Sequence, residues 1–290
     1  MKRIPLLLAA LGVVSAAAYA APELTVTNVG QEIEMEHKNG TDDTTAWLFN
    51  NVGLKYDDWS FSLQAGKQWN YDNDDNGADK DSKGVTSNDS RLQFDVAKPV
   101  TDNLTLKGRY RGQKTFDRFQ VGYDYKYGMF LSSGDVFYDF TDANGKDSPD
   151  TFHAELFPVG AKLGPVTVKY YLEYVEDLGE RSGSERESYT EHQIRLYAPL
   201  YKVGNFSLST EGRFTVKYDE DHVKGGCGAY KDFGRDRLYL KANYAVSENL
   251  NVYANYFYEL REREGKNGFD EKKLDNADVQ NLVLGWSYTF

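Results

Sequence analysis

The sequence predicts an all-β fold, a transmembrane antiparallel β-barrel of about fourteen strands. Three observations carry this. Apolar and polar residues alternate with period two in segment after segment. Short and long connections fall at opposite ends of those segments, as in outer-membrane barrels. After residue 20 no stretch approaches the roughly 20 consecutive apolar residues of a membrane helix. A mean hydropathy of −0.66 still suits a membrane, because a barrel strand shows lipid only every second side chain. The 22 Tyr, 16 Phe and 4 Trp against only 7 Pro favour strands over helices.

At the start, Lys2 and Arg3 precede an apolar run over 4–18, and Ala18-Tyr19-Ala20 fits the small-x-small cleavage rule. Residues 1–20 therefore read as a signal peptide, with 21–290 as one outer-membrane barrel domain. The predicted strands are 24–38, 45–56, 59–71, 90–98, 104–113, 118–127, 129–140, 151–163, 166–176, 189–200, 206–218, 237–246, 250–261 and 278–290. The clearest is 59–71: Trp59, Phe61, Leu63, Ala65, Trp69 and Tyr71 share one face, with Lys67 intruding, and Ser60, Ser62, Gln64, Gly66, Gln68 and Asn70 share the other. The same alternation runs through 104–113, 118–127, 166–176, 206–218, 237–246 and 250–261. Segments 24–38 and 129–140 alternate poorly, so twelve strands is the alternative count.

The connections at Asp57-Asp58, 99–103, Tyr127-Gly128, Gly164-Pro165, 201–205 and 247–249 are short. Those at 72–89, 141–150, 177–188, 219–236 and 262–277 are long and polar, which assigns them to the outside. In the last segment Leu282, Leu284, Trp286, Tyr288 and Phe290 alternate up to a terminal aromatic. Such a strand suits the interfacial aromatic girdle. It also resembles the C-terminal signature read by the barrel-insertion machinery, which is expected as a partner alongside outer-membrane lipid.

If one face meets lipid, the other lines a lumen. Fourteen strands enclose more space than side chains fill, unlike eight, so water should occupy it. The expected lining comprises Arg91, Lys107, Arg109, Arg111, Arg118, Lys126, Lys169, Arg195, Arg213, Lys217, Arg237, Lys241 and Arg261, with Asp95, Asp124, Glu155, Glu173, Glu191, Glu211 and Glu259 as the acidic counterparts. Arg91 through Lys126 form a basic wall. Glu173, Glu191 with Arg195, and Glu211 with Arg213 form a mixed one. Walls of this kind tune pore selectivity, and the same residues also pair laterally.

The formal charge of −11 resides in the loops and argues against nucleic acid. Cys227 has no second Cys for a disulfide. A nucleophile site needs a His within reach of its partner, and His37, His153, His192 and His222 are scattered, with only His153 inward, beside Glu155. The residues therefore point to no enzyme, no metal and no cofactor.

Val168-Lys169-Tyr170-Tyr171-Leu172-Glu173, followed by an acidic loop and then 191–200 (EHQIRLYAPL), resembles the outer-membrane porin G family. Asp232-Phe233-Gly234-Arg235 and the ending 286–290 (WSYTF) are similar to the same family, and the match covers about the last half of the chain. The resemblance implies a monomeric fourteen-stranded channel for ions and small saccharides, with loops that flicker over its mouth. That family carries a gating pair of His at the outer ends of strands twelve and thirteen. The matching positions here are Lys231 and Glu262, a candidate gate without His chemistry. The expectation is a passive channel for ions and small hydrophilic solutes such as oligosaccharides. The alternatives are a channel selective for acidic oligosaccharides and a non-conducting surface adhesin or structural barrel.

Overall fold

The computed structural model describes residues 23–38, 44–72, 84–141, 150–178, 186–222, 227–266 and 278–290. The predicted signal peptide lies outside them. Fourteen strands form: β1 (Thr25–Lys38), β2 (Thr44–Tyr56), β3 (Trp59–Asp72), β4 (Gly84–Thr101), β5 (Leu104–Gly112), β6 (Phe116–Tyr127), β7 (Phe130–Thr141), β8 (Asp150–Leu163), β9 (Val166–Leu178), β10 (Arg186–Val203), β11 (Phe206–His222), β12 (Cys227–Ala245), β13 (Leu250–Lys266) and β14 (Val279–Thr289). Each pairs antiparallel with its sequence neighbour, and β1 pairs with β14 from Asn28↔Thr289 to Lys38↔Val279. The barrel is closed, which removes every sheet edge.

The fourteen-strand count holds over the twelve. The two weakly alternating segments are full members, β1 and β7. In β7 the signal is weak because an apolar residue also faces inward, Phe137 being 4% exposed, and the same happens in β2, where Phe49 is 1% exposed. Phe49 packs over Gly66 of β3, where an added Cβ would collide with its ring.

Several strands outrun their predicted ends. β4 begins at Gly84 rather than 90, β12 at Cys227 rather than 237, and β13 continues to Lys266. Part of each predicted polar loop is therefore strand. Above the hydrocarbon both faces of a strand meet water, so the ladder continues while the period-two signal vanishes.

Tight turns close the other end. Asp57, Gly128, Gly164 and Gly204 take φ of 53°, 58°, 62° and 52°, the left-handed first position that two-residue hairpin loops favour. Gly128 supplies it without a Cβ clash, which places that turn at Gly128-Met129, one residue on from the expected Tyr127-Gly128. Within the strands, Pro99, Pro158 and Pro199 all fall at ladder shifts. Proline has no N–H to give the ladder, so bulges are where a sheet tolerates it.

The outer wall is apolar and uncovered: Phe119 is 55%, Val121 62%, Leu238 61% and Leu200 54% exposed. Tyr56, Trp59, Tyr127, Phe130, Tyr201, Tyr244 and Tyr288 ring the short-turn end and are also exposed. An apolar band bounded by aromatics is the surface that lipid requires.

Two bulges re-aim side chains on the far side. In β11 the register jumps from Gln193↔Thr215 to His192↔Lys217, so Thr215 and Tyr218 both face inward and Lys217 turns outward. In β12 it jumps from Tyr230 to Arg235, with Phe233 at φ 60°. The β11–β12 ladder stops at Phe214↔Asp236. Beyond it carboxylates replace backbone acceptors, Thr215 N donating to Asp236 and Tyr218 N to Asp232, each at 3.2 Å.

Candidate functional site

The inner wall divides into three sectors by the strands that supply them. The first is basic. Alternation on β4, β5 and β6 turns Arg91, Arg109, Arg111 and Arg118 inward. Arg109 pairs with Asp95. Arg118 holds Asp139 through two bonds, Nε to Oδ1 at 2.6 Å and Nη2 to Oδ2 at 2.7 Å. Arg111 donates to the neutral Gln93 Oε1 at 2.8 Å. Arg91 lies over the rings of Trp47 and Phe49, 4.7 and 4.8 Å from their centroids. These four guanidiniums lie on three neighbouring strands, and aromatic rings lie against Arg91 and Arg118.

The second sector is a row of carboxylates. Cross-strand register places Asp135 opposite Glu155, Glu155 opposite Glu173, and Glu173 opposite Glu191. Like charges directly opposite on a sheet are unfavourable, so each needs relief. Asp135 lies 3.6 Å from Lys107 Nζ, which also bonds Asp124 at 3.3 Å. Glu173 accepts from Tyr189 at 2.6 Å and Tyr171 at 3.1 Å. Glu191 accepts from Gln193 at 2.8 Å and pairs with Arg235 at 2.9 Å. Among the described residues Glu155 has electrostatic neighbours, Glu173, Arg118, Arg195 and Asp135, but no direct partner.

The third sector, on β10 to β13, is a dense ion network. Glu259 is fully buried and accepts from Arg261 at 2.6 Å and from Arg237, with Arg235 at 3.6 Å. Arg235 thereby bridges Glu191 and Glu259. Glu211 holds Arg213 at 2.6 Å and Lys241. Arg195 donates to Gln193 at 2.8 Å and lies 3.6 Å over the Tyr171 ring. A cavity of about 220 Å³ opens between the second and third sectors, lined by Glu155, Glu173, Arg195, Arg213, Arg237 and their neighbours. Toward the short-turn end, Lys126, Asp124 and Lys169 line a second polar recess, with Lys169 also 4.9 Å over Phe157.

Two inward assignments change. Lys217 leaves the lumen because of the β11 bulge, and pairs on the outer face with Asp219. Lys231 and Glu262 do not face each other in register across β12 and β13. Lys231 falls inside the β12 bulge and has no register partner, while Glu262 alternates away from inward Glu259, Arg261 and Arg263. The inward pair at that height is Tyr230 with Arg263, whose guanidinium sits 4.8 Å from the ring.

Alternation missed three groups. Arg235 stands five residues from Tyr230 yet faces the same way, which only the bulge explains. Glu32, Glu34 and Glu36 of β1 face inward, Glu32 bonding Tyr253 at 2.8 Å and Glu34 bonding Asn281 at 2.9 Å. The tyrosines Tyr189, Tyr218 and Tyr230 form a contiguous inner cluster at 5.5 and 5.2 Å. Of the His residues, His153 is inward as expected, stacked 4.4 Å from Phe137 and 3.8 Å from Asp139. His192 faces lipid, its Nδ1 2.6 Å from the Tyr170 hydroxyl.

No protein-family model matches the chain, and no curated protein matches it. Solved structures do. A bacterial polysaccharide outer membrane secretin aligns over 91% of this chain and 98% of its own, at 9% identity and a TM-score of 0.53. The fold is that of an outer-membrane β-barrel. An anion-selective porin from Comamonas acidovorans (10% identity, 92% and 100% covered, TM-score 0.48) and the OmpT outer membrane protein of Vibrio cholerae lacking loop L8 (13%, 92% and 99%, 0.48) are also similar. At these identities the likeness belongs to the backbone. An outer-membrane barrel of this kind meets lipid with its uncovered apolar wall and water with its charged one.

Proposed function

We propose that this barrel is a passive channel for ions and small hydrophilic solutes, built on the plan of the porin G family and acting as a single chain without a cofactor. The observation that carries the reading is the inner wall. Arginine, carboxylate and tyrosine side chains line it from β4 round to β13, with the Glu32, Glu34 and Glu36 row on β1, and a barrel built only for scaffolding has no need of such a lining. Side-chain pairs run laterally along the wall, from a strand to its neighbour, as in Arg118–Asp139 and Arg237–Glu259. Lateral pairing leaves charge on the wall while the axis is left to water. The export signal over 1–20 and recognition of the C-terminal strand by the insertion machinery belong to the same reading.

Reconstitution into planar bilayers tests it. Stepwise, ohmic conductance is the expected result. A folded barrel that inserts and stays silent would favour the adhesin or scaffold reading.

A further inference from the structure

The basic sector is not evenly neutralised. Of its four guanidiniums, Arg109 and Arg118 each hold a carboxylate. Among the described residues Arg111 is bonded only to a neutral amide, and its register partner on β6 is Arg118, another cation. The charges that bear most on Arg111 are Arg91, Arg118 and Arg109, ahead of Asp95. Arg91 has a buried Nε with no hydrogen-bond acceptor among the described residues. The carboxylates that bear on it, Glu34 and Asp89, are engaged elsewhere. Glu34 accepts from Asn281. Asp89 accepts from Gln113 at 3.0 Å and from Lys114 N at 2.9 Å.

We propose that Arg91 and Arg111 form an oxyanion subsite on the lumen wall, which takes the carboxylate or sulfate group of a small hydrophilic solute. The proposal rests on the channel reading and names the solute class that the channel prefers. A guanidinium presents its donors in a planar fork that matches a carboxylate or sulfate edge. Arg111 spends Nε on Gln93 and keeps its two terminal nitrogens. The Trp47 and Phe49 rings hold the Arg91 plane in place, so little side-chain freedom is lost when an anion arrives. A bound oxyanion also offsets the Arg111–Arg118 contact, which the sheet register otherwise leaves unfavourable.

Titration calorimetry on the folded, detergent-solubilised full barrel tests this, with sodium glucuronate and sodium sulfate as probes and glucose as the uncharged control. Glucuronate should bind in preference to glucose, and the Arg91→Gln/Arg111→Gln variant should lose about tenfold to a hundredfold of that affinity, the weight of one charge-assisted hydrogen bond or more. Arg111→Lys keeps the charge without the fork and should lose an intermediate amount, which preserves the test should the double variant fail to fold. Lys217→Gln removes a charge from the outer face and should bind as the unaltered chain does. Sulfate binding equal to glucuronate assigns recognition to the oxyanion alone. Weaker sulfate binding gives the sugar ring a share in it. Equal binding of glucuronate and glucose, or full affinity in the double and Lys variants, would overturn the subsite. A conducting barrel without glucuronate preference sinks the subsite alone, whereas a silent barrel that binds glucuronate sinks the channel alone.

Discussion

At the residue scale, two glutamates of the inner wall have opposite surroundings and should respond oppositely to neutralisation. Glu259 is fully buried beneath Arg235, Arg237 and Arg261. Removing it leaves guanidiniums facing one another without their counter-ion. Glu259→Ala should therefore destabilise the barrel by about 3–5 kcal/mol, the usual result of deleting one member of a buried ion group. Glu155 stands in register between Asp135 and Glu173 with no direct partner among the described residues. Glu155→Gln should cost nothing, or stabilise by up to about 1 kcal/mol, because it relieves a cross-strand like-charge contact. Urea unfolding of both variants in lipid vesicles compares them directly. Equal losses would mean that the register, rather than the charges, sets their roles. At this scale the sequence was legible in part: it marked both residues as inward carboxylates but could not tell a saturated one from a bare one.

At the element scale, the alternation of each strand makes a sharper prediction. Leu106 is 49% exposed on the outer wall, while Thr105 pairs across to Asp124 on the inner one. Leu106→Arg, two residues in from the short-turn end of β5, should cost about 1–2 kcal/mol, and Thr105→Arg little. Val168→Arg and Thr167→Arg on β9 should repeat the contrast. Folding yields in vesicles measure it, and indistinguishable yields would mean the two walls are exchanged. The outer ends of β12 and β13 carry a second prediction. Lys231 and Glu262 stand on the outer side of the wall, so alanine at either should leave open probability unchanged from about pH 7.5 to about 5.5, since neither residue has His chemistry. An acid-dependent change of open probability in either variant would put that residue back in the conduction path. These strands show where pattern reading fails. A single bulge reverses every later face; nothing at Val216 announces one, and Gly234 alone marks the 231–234 segment.

At the scale of the whole molecule, the acidic total of −11 and the basic inner sector pull selectivity in opposite directions. Distance decides between them. Charges beyond about 8 Å are largely screened at physiological salt, so the lumen responds to its own wall. Replacing Lys107, Arg109, Arg111 and Arg118 with Gln should move the reversal potential toward cations in a salt gradient, and raising the salt should shrink the difference. An unmoved potential would mean that these four lie away from the ion path.

By itself the sequence determined the fold class, the strand count to within two and the two faces of most strands. The reason is local: a strand between lipid and water must alternate, and that requirement is written within about ten residues. The tertiary structure alone decided which charges meet. Arg235 and Glu191 lie 44 residues apart, and their contact depends on a bulge in one strand and the pairing of two others. The row from Asp135 to Glu191 exists because three registers, over four strands, happen to agree. Register is fixed by turn geometry and by closure of all fourteen strands at once, so it is a property of the assembled sheet that no single segment records.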